Sequence, residues 1–257
     1  MIPVAEVERW LDALYIAAEG AGLRREDRRK ALEVAAMLDE IERALRRHAR
    51  SVPFLLVDAA AGKSYVGLLA ARLLLEPSGR PARVITLERD QGRVASSRAA
   101  LARLQTRIPV ECRAAEVADA AAWPARPSLV TALHACGAAA DTIIERAAAV
   151  EAGGVLLVPC CTGDGIPAAA RARDGADACG IPRQAPVRRR YIQACVDSER
   201  TWRLEAAGYR VEVVEFVGGT VTPHNLLWRA RRVMEPVRMA AALRALSLRN
   251  AMPPAAG

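Results

Sequence analysis

Short runs that are wholly apolar at 53–57 and 155–158, mostly apolar at 83–87 and 128–133, and more mixed at 108–114 recur along the chain, and each is followed by a stretch of helical periodicity. A strand apolar at every position is buried on both faces, and strands that alternate with helices pair in parallel. This rhythm admits an open α/β sheet covered on both sides and little else. It changes near the end, where strands at 209–217 and 225–233 lie too close in sequence for a crossover helix. Such a pair is antiparallel. The expected fold class is α/β: a seven-stranded sheet, parallel apart from an antiparallel last strand.

The flanks read differently. Val4, Val7, Leu11, Leu14 and Ala18 form one helical stripe, and Ala31, Val34, Leu38, Ile41 and Leu45 a second. Gly20-Ala21-Gly22 separates them, so residues 1–50 are expected to form an N-terminal helical hairpin with a structural role and a substrate-facing edge. Residues 51–234 carry the sheet. Within them, 162–190 breaks the rhythm with glycines, prolines and a closing Arg188-Arg189-Arg190, and is expected to be an irregular, mobile, lid-like insertion. Residues 235–257 add an apolar helix and a tail.

No run approaches the length of an apolar transmembrane helix, and Glu6, Glu8 and Asp12 disqualify the amino terminus as a signal peptide. The expectation is a cytoplasmic protein without membrane contact and with reduced thiols. A formal net charge of +8 makes nucleic acid a possible partner. It is not the favoured one, because lysine occurs only at Lys30 and Lys63. Arginine and alanine dominate instead, as a GC-rich coding sequence produces without selection for any partner. Nothing in the sequence sets an oligomeric state.

The first strand ends in Val57-Asp58-Ala59-Ala60-Ala61-Gly62-Lys63-Ser64-Tyr65, a small-residue loop opening a helix. Backbone there can approach a ligand closely, and the free N–H groups of the new helix favour polar or anionic atoms. Three readings compete. Gly62-Lys63-Ser64 matches the end of a P-loop, but the opening glycine of that motif would fall on Val57, inside the strand. A Rossmann NAD(P) site lacks its G-x-G-x-x-G. The third pattern is D/E-x-G-x-G-x-G, with Asp58, Ala60, Gly62 and Ser64 in its four places.

Ligands of open parallel sheets sit at the carboxyl edge. Asp58 to Gly62, Glu88 with Arg89, the segment near Glu116, Leu133-His134-Ala135-Cys136-Gly137 and Pro159-Cys160-Cys161 share that edge. An acid such as Glu88, ending the second strand, can accept hydrogen bonds from both hydroxyls of a ribose.

In these residues the chain resembles class I S-adenosylmethionine (SAM)-dependent methyltransferases. More narrowly, it resembles the subgroup containing the ribosomal-RNA adenine dimethylase domain-containing and glutathione S-transferase C-terminal domain-containing proteins. The likeness rests on Asp58 to Tyr65, Leu133 to Gly137, Cys160-Cys161 and Thr222-Pro223-His224-Asn225-Leu226-Leu227, spanning about 50–233. Ala60 and Ser64 depart from it where glycines are usual, as does Ala138 where Asp is common. The resemblance implies a Rossmann-like seven-stranded methyltransferase sheet and SAM as cofactor. Cofactor-binding candidates are Asp58, Ala60, Gly62, Lys63, Tyr65, Glu88, Arg89, Glu116 and Leu133. The acceptor, whether RNA, protein or a small molecule, is left open. The N-P-P-Y-type motif of many amino-methylating enzymes is replaced by Leu133-His134-Ala135-Cys136, which argues against adenine N6-methylation.

His134 is the candidate general base, since an unperturbed imidazole titrates near neutrality. Its alternative role is to order the loop. Cys136, Cys160 and Cys161 are expected on the substrate side as buried thiols. They lack the C-x-x-C spacing of a zinc site, so no metal is expected. Cys112, Cys179 and Cys195 carry no assigned role. Two rivals to the enzyme remain: a binding protein that keeps the fold without catalysis, motivated by Ala60 and Ser64, and a P-loop-type nucleotide binder.

Overall fold

The structure, a computed structural model, describes residues 1–17, 20, 22–159, 165–219, 221 and 225–250. Helix α1 (Val4–Leu11) runs on through a wide π turn at Asp12–Ile16, and α2 (Arg25–Arg47) returns beside it. Strand β1 (Phe54–Ala59) leads to α3 (Tyr65–Ala70), which continues through a π turn at Ala71–Leu75 into α4 (Glu76–Ser78). Next come β2 (Ala82–Glu88), α5 (Gln91–Leu104), β3 (Val110–Ala114), β4 (Leu129–Ala135), α6 (Ala139–Ala149) and β5 (Gly154–Pro159). The chain closes with α7 (Pro167–Ala178), α8 (Ala185–Ala206), β6 (Tyr209–Glu215), β7 (Leu226–Arg232) and α9 (Pro236–Asn250).

The strands form one sheet in the order β3-β2-β1-β4-β5-β7-β6. Strands β1 to β5 pair in parallel, and β7 lies antiparallel between β5 and β6, as the strand spacing predicts. The strand order reverses between β1 and β4, which opens a crevice at their carboxyl ends.

Each face of the sheet carries its own core. Side chains of α1, α2, α3 and α5 cover one face around Phe54, Leu56, Leu129 and Leu156. Those of α6 and α8 cover the other around Val57, Val130, Leu157 and Trp228. Val34, Met37, Leu38 and Ile41 of α2 are fully buried on the first face, each stabilising the docked hairpin by roughly 1.5–3 kcal/mol. The hairpin therefore shares the core of the sheet. Ala18, expected on its first stripe, lies outside the described residues.

Helix α3 sits unusually close to the sheet. A Cβ built on Gly67 would meet Thr86 Cγ2 at 2.8 Å and Asp58 Oδ2 at 3.2 Å. Gly67→Ala is therefore expected to cost about 1–3 kcal/mol through overpacking. Urea denaturation checks this, and an unchanged midpoint would mean that Thr86 simply turns away.

The irregular lid expected at 162–190 is corrected by the structure. Residues 160–164 lie outside the described residues, but α7 and the first turn of α8 occupy most of the rest. Pro167 and Pro186 sit in the first turns of these helices, where a missing N–H costs nothing, and so start helices rather than prevent them. Gly180 takes a left-handed φ of 63° just after α7 ends. Ala168, Ala169 and Ala172 are buried, the first two packing with Ile166 and Val196. The arginines are partly committed as well. Arg171 donates to both carboxylate oxygens of Glu199, and Arg188 to those of Asp177.

Candidate functional site at the carboxyl edge

The loop from β1 to α3 is shaped by three left-handed residues, Ala60 (φ 52°), Gly62 (φ 59°) and Ser64 (φ 59°). Two of them carry a Cβ, which costs roughly 1–2 kcal/mol apiece in this region. The alanine and serine thus retain the backbone course that glycine favours.

Two buried carboxylates hold the loop. Asp58 Oδ2 accepts a hydrogen bond from Gly67 N–H at 2.9 Å, and Oδ1 accepts a longer one from the Thr131 hydroxyl at 3.4 Å. Asp58 is 2% exposed; burial, with a smaller push from Glu88, raises its pKa to about 7. It anchors the start of α3 from beneath. Glu88 accepts from Gly62 N–H at 2.8 Å with one oxygen and from Asp90 N–H at 3.0 Å with the other. Each oxygen retains a second lone pair for a ligand donor. Asp90 in turn caps α5 by accepting from Arg93 N–H at 2.8 Å.

His134 is set apart by the backbone. The register of β4 with β5 steps from Leu133 opposite Val158 to Ala135 opposite Pro159, so His134 is the extra residue of a bulge, at φ 62°. Bulges re-aim a side chain, and strained non-glycine residues cluster at functional sites. Here the ring turns toward the hairpin, and His134 Nε2 lies 2.8 Å from Glu33 Oε1. Glu33 is buried on α2, and Lys30 Nζ lies 3.8 Å from its other oxygen. The hairpin also grips the loop directly. The Tyr15 hydroxyl donates to the Lys63 carbonyl at 2.7 Å, and its ring meets that of Tyr65 edge-on at 4.6 Å. Burial pushes the Tyr15 phenol up, so it stays a neutral donor.

A pocket of about 170 Å³ joins these parts, lined by Asp58, Ala60, Gly62, Lys63, Tyr65, Leu133 and His134 of the predicted set. Lys30 and Arg93 line it too. Glu88 backs the loop from behind. Arg89 and Glu116 stand side by side, 4.0 Å apart and mostly exposed, beyond the ends of β2 and β3 rather than in the pocket. Glu33, Lys30, Arg93 and Tyr15 carry no motif that marks them in the sequence. Only Glu33 leaves a trace there, as an acid set within the apolar stripe of α2.

Of the cysteines expected on the substrate side, Cys136 is exposed rather than a buried thiol, while Cys112, Cys179 and Cys195 are free. Cys160 and Cys161 lie outside the described residues, as do Thr222, Pro223 and His224. Among the described residues no His/Cys/Asp/Glu group is arranged to hold a metal. Val57 lies buried within β1, so no phosphate nest forms where a P-loop would need its first glycine. No helix among the described residues is long and apolar enough to cross a membrane.

A larger cavity, about 860 Å³, lies at the opposite edge of the sheet, away from every residue just described. Size alone would favour it. The strand ends, the left-handed loop and the re-aimed histidine gather at the carboxyl edge instead.

A seven-stranded sheet with this order and a small-residue loop after β1 defines the methyltransferase class of α/β proteins. Residues 29–164 match the model of a family described as a methyltransferase domain, more than half of the chain, and the protein belongs to that family. The match takes in most of α2, which lies outside the motifs that carry the likeness in sequence. Among solved structures, magnesium protoporphyrin IX methyltransferase from Synechocystis PCC 6803 with bound SAH is 12% identical. The alignment has a TM-score of 0.53 and covers 89% of this chain and 94% of that one. The SAH-bound Podospora anserina methyltransferase PaMTH1 is 13% identical, with a TM-score of 0.50, covering 90% of this chain and 89% of that one. At such identities the likeness is one of fold. No curated protein matches the chain.

Proposed function

We propose that this methyltransferase uses SAM and that His134, oriented by Glu33, is its general base toward an acceptor whose nucleophile carries a proton. The observation that carries this reading is the bulge at His134, which turns the ring out of the β4 register and onto a buried carboxylate. SAM supplies an electrophilic methyl group on sulfonium. The remaining work, positioning and proton removal, falls to the chain.

The residues fit such a ligand. Left-handed Ala60, Gly62 and Ser64 curve the loop so that small residues border the pocket, and the Glu88 carboxylate has lone pairs left for ribose hydroxyls. The enclosed volume is smaller than a whole ligand of this kind requires. Part of it would therefore rest on the open rim toward Arg89 and Glu116. Glu33 keeps one ring nitrogen of His134 engaged, which leaves Nδ1 for the acceptor proton. The scaffold-only reading loses its motive, because Ala60 and Ser64 preserve the glycine conformation.

We assign residues 165–190, which follow β5 in the chain, a role in covering the acceptor. The L-H-x-C-G subgroup belongs to this proposal, supported by Leu133 to Gly137.

SAM titrated by calorimetry tests the cofactor, and its failure to bind would defeat the proposal. Glu88→Ala is expected to weaken binding by roughly 2–4 kcal/mol through lost charge-assisted hydrogen bonds. Equal affinity in the folded variant would take Glu88 out of the site.

A further inference from the structure

The large cavity at the amino edge of the sheet has no part in the chemistry above. Its floor is made by the first residues of β1, β4 and β5, among them Phe54, Leu129 and Gly154, and α2 supplies one wall through Glu40, Arg43 and Arg47. Strand β7 supplies the facing wall through Arg229 and Arg231. Six arginines line it against three glutamates.

Most of these arginines are already committed. Arg229 makes a two-pronged contact with Glu40 at 2.7 Å for each bond, and Arg43 lies 3.2 Å from the same carboxylate. Arg126 donates to Glu151, and Arg210 pairs with Glu235, which stands outside the cavity. These pairs build the walls. Arg47 and Arg231 are left over, two exposed guanidiniums without an acidic partner among the described residues.

Excess positive charge and two uncommitted forks call for an anion rich in oxygen acceptors.

We propose that this cavity is a second binding site, separate from the methyl-transfer site, for a small, multiply charged phosphate-bearing anion held by Arg47 and Arg231. A volume of about 860 Å³ accommodates a ligand of that size with room for an organic body above Phe54 and Leu129.

Inorganic tripolyphosphate is the probe, titrated by calorimetry at about 50 mM salt, where screening of exposed charge is modest. The variant Arg47→Ala/Arg231→Ala should bind it at least about tenfold more weakly. SAM affinity and melting temperature should match the wild type, because both side chains are exposed. A control variant, Arg183→Ala/Arg189→Ala, removes charge from the exposed basic patch of the α7–α8 turn and should bind the probe as the wild type does. No binding to the wild-type protein, equal weakening in both variants, or loss only in the control would each overturn the proposal. None of these outcomes bears on SAM binding, so the two sites stand or fall separately.

Discussion

Replacing His134 with Asn is expected to slow methyl transfer by about 10²–10⁴-fold, the usual contribution of a positioned acid or base. Asparagine is the informative substitute because it tolerates the left-handed φ of 62° that this position requires. The bulge should survive, and SAM affinity should stay at the wild-type level. The measurement is transfer of label from SAM into a lysate separated into RNA, protein and small molecules, which also identifies the class of acceptor. Glu33 acts only through the ring it holds at 2.8 Å. Glu33→Gln should therefore lower turnover without moving the Michaelis constant for SAM. The double variant should be no slower than His134→Asn alone, since groups that act as a unit are strongly non-additive. Additive losses would show that Glu33 serves the packing of α2 instead. Undiminished transfer by His134→Asn would leave the histidine with an architectural role only.

The second large effect concerns stability against pH. Asp58 sits beneath α3 with its pKa raised to about 7, chiefly because burial disfavours the charge. A carboxyl whose folded value lies above its unfolded value, near 3.9, binds its proton more tightly in the folded state. Its stabilising contribution is complete below about pH 4, declines as pH rises toward 7 and is absent above that. A rise of this size corresponds to about 4 kcal/mol. Asp58→Asn retains an oxygen to accept from Gly67 N–H and cannot ionise. Its stability in urea, measured against wild type from about pH 4 to 8, should gain by that amount across the window. A constant difference would mean that the Gly67 and Thr131 hydrogen bonds hold Asp58 ionised throughout.

The same carboxylates show how a strand-end acid can be recognised while its local partners stay hidden. Asp58 and Glu88 are legible as acids closing β1 and β2, and both lie at the carboxyl edge. Their shortest hydrogen bonds come from backbone N–H groups, Gly67 for one and Gly62 and Asp90 for the other. Each first builds the loop, a use that depends on where α3 docks. Gly67 is the residue that permits the docking, and nothing in Val66-Gly67-Leu68 announces that Thr86 lies 2.8 Å from its missing Cβ. The departure at 162–190 has a simpler cause. Proline and glycine read as breakers by composition, although their positions at the first turns and just past the end of α7 are those that bound helices.

The sequence by itself determined the α/β class, the strands in order, the antiparallel final pair, the two N-terminal helices and which strand ends share the carboxyl edge. All of these follow from apolar period and loop length, which act over neighbouring residues. Tertiary structure alone decided that Glu33 meets His134, that Tyr15 holds the Lys63 carbonyl, and that Arg47 and Arg231 stand uncommitted over one cavity. Those contacts join segments distant in the chain. They arise from a one-residue slip in β4 and from the lie of α2 across the sheet, which packing sets and no local pattern encodes.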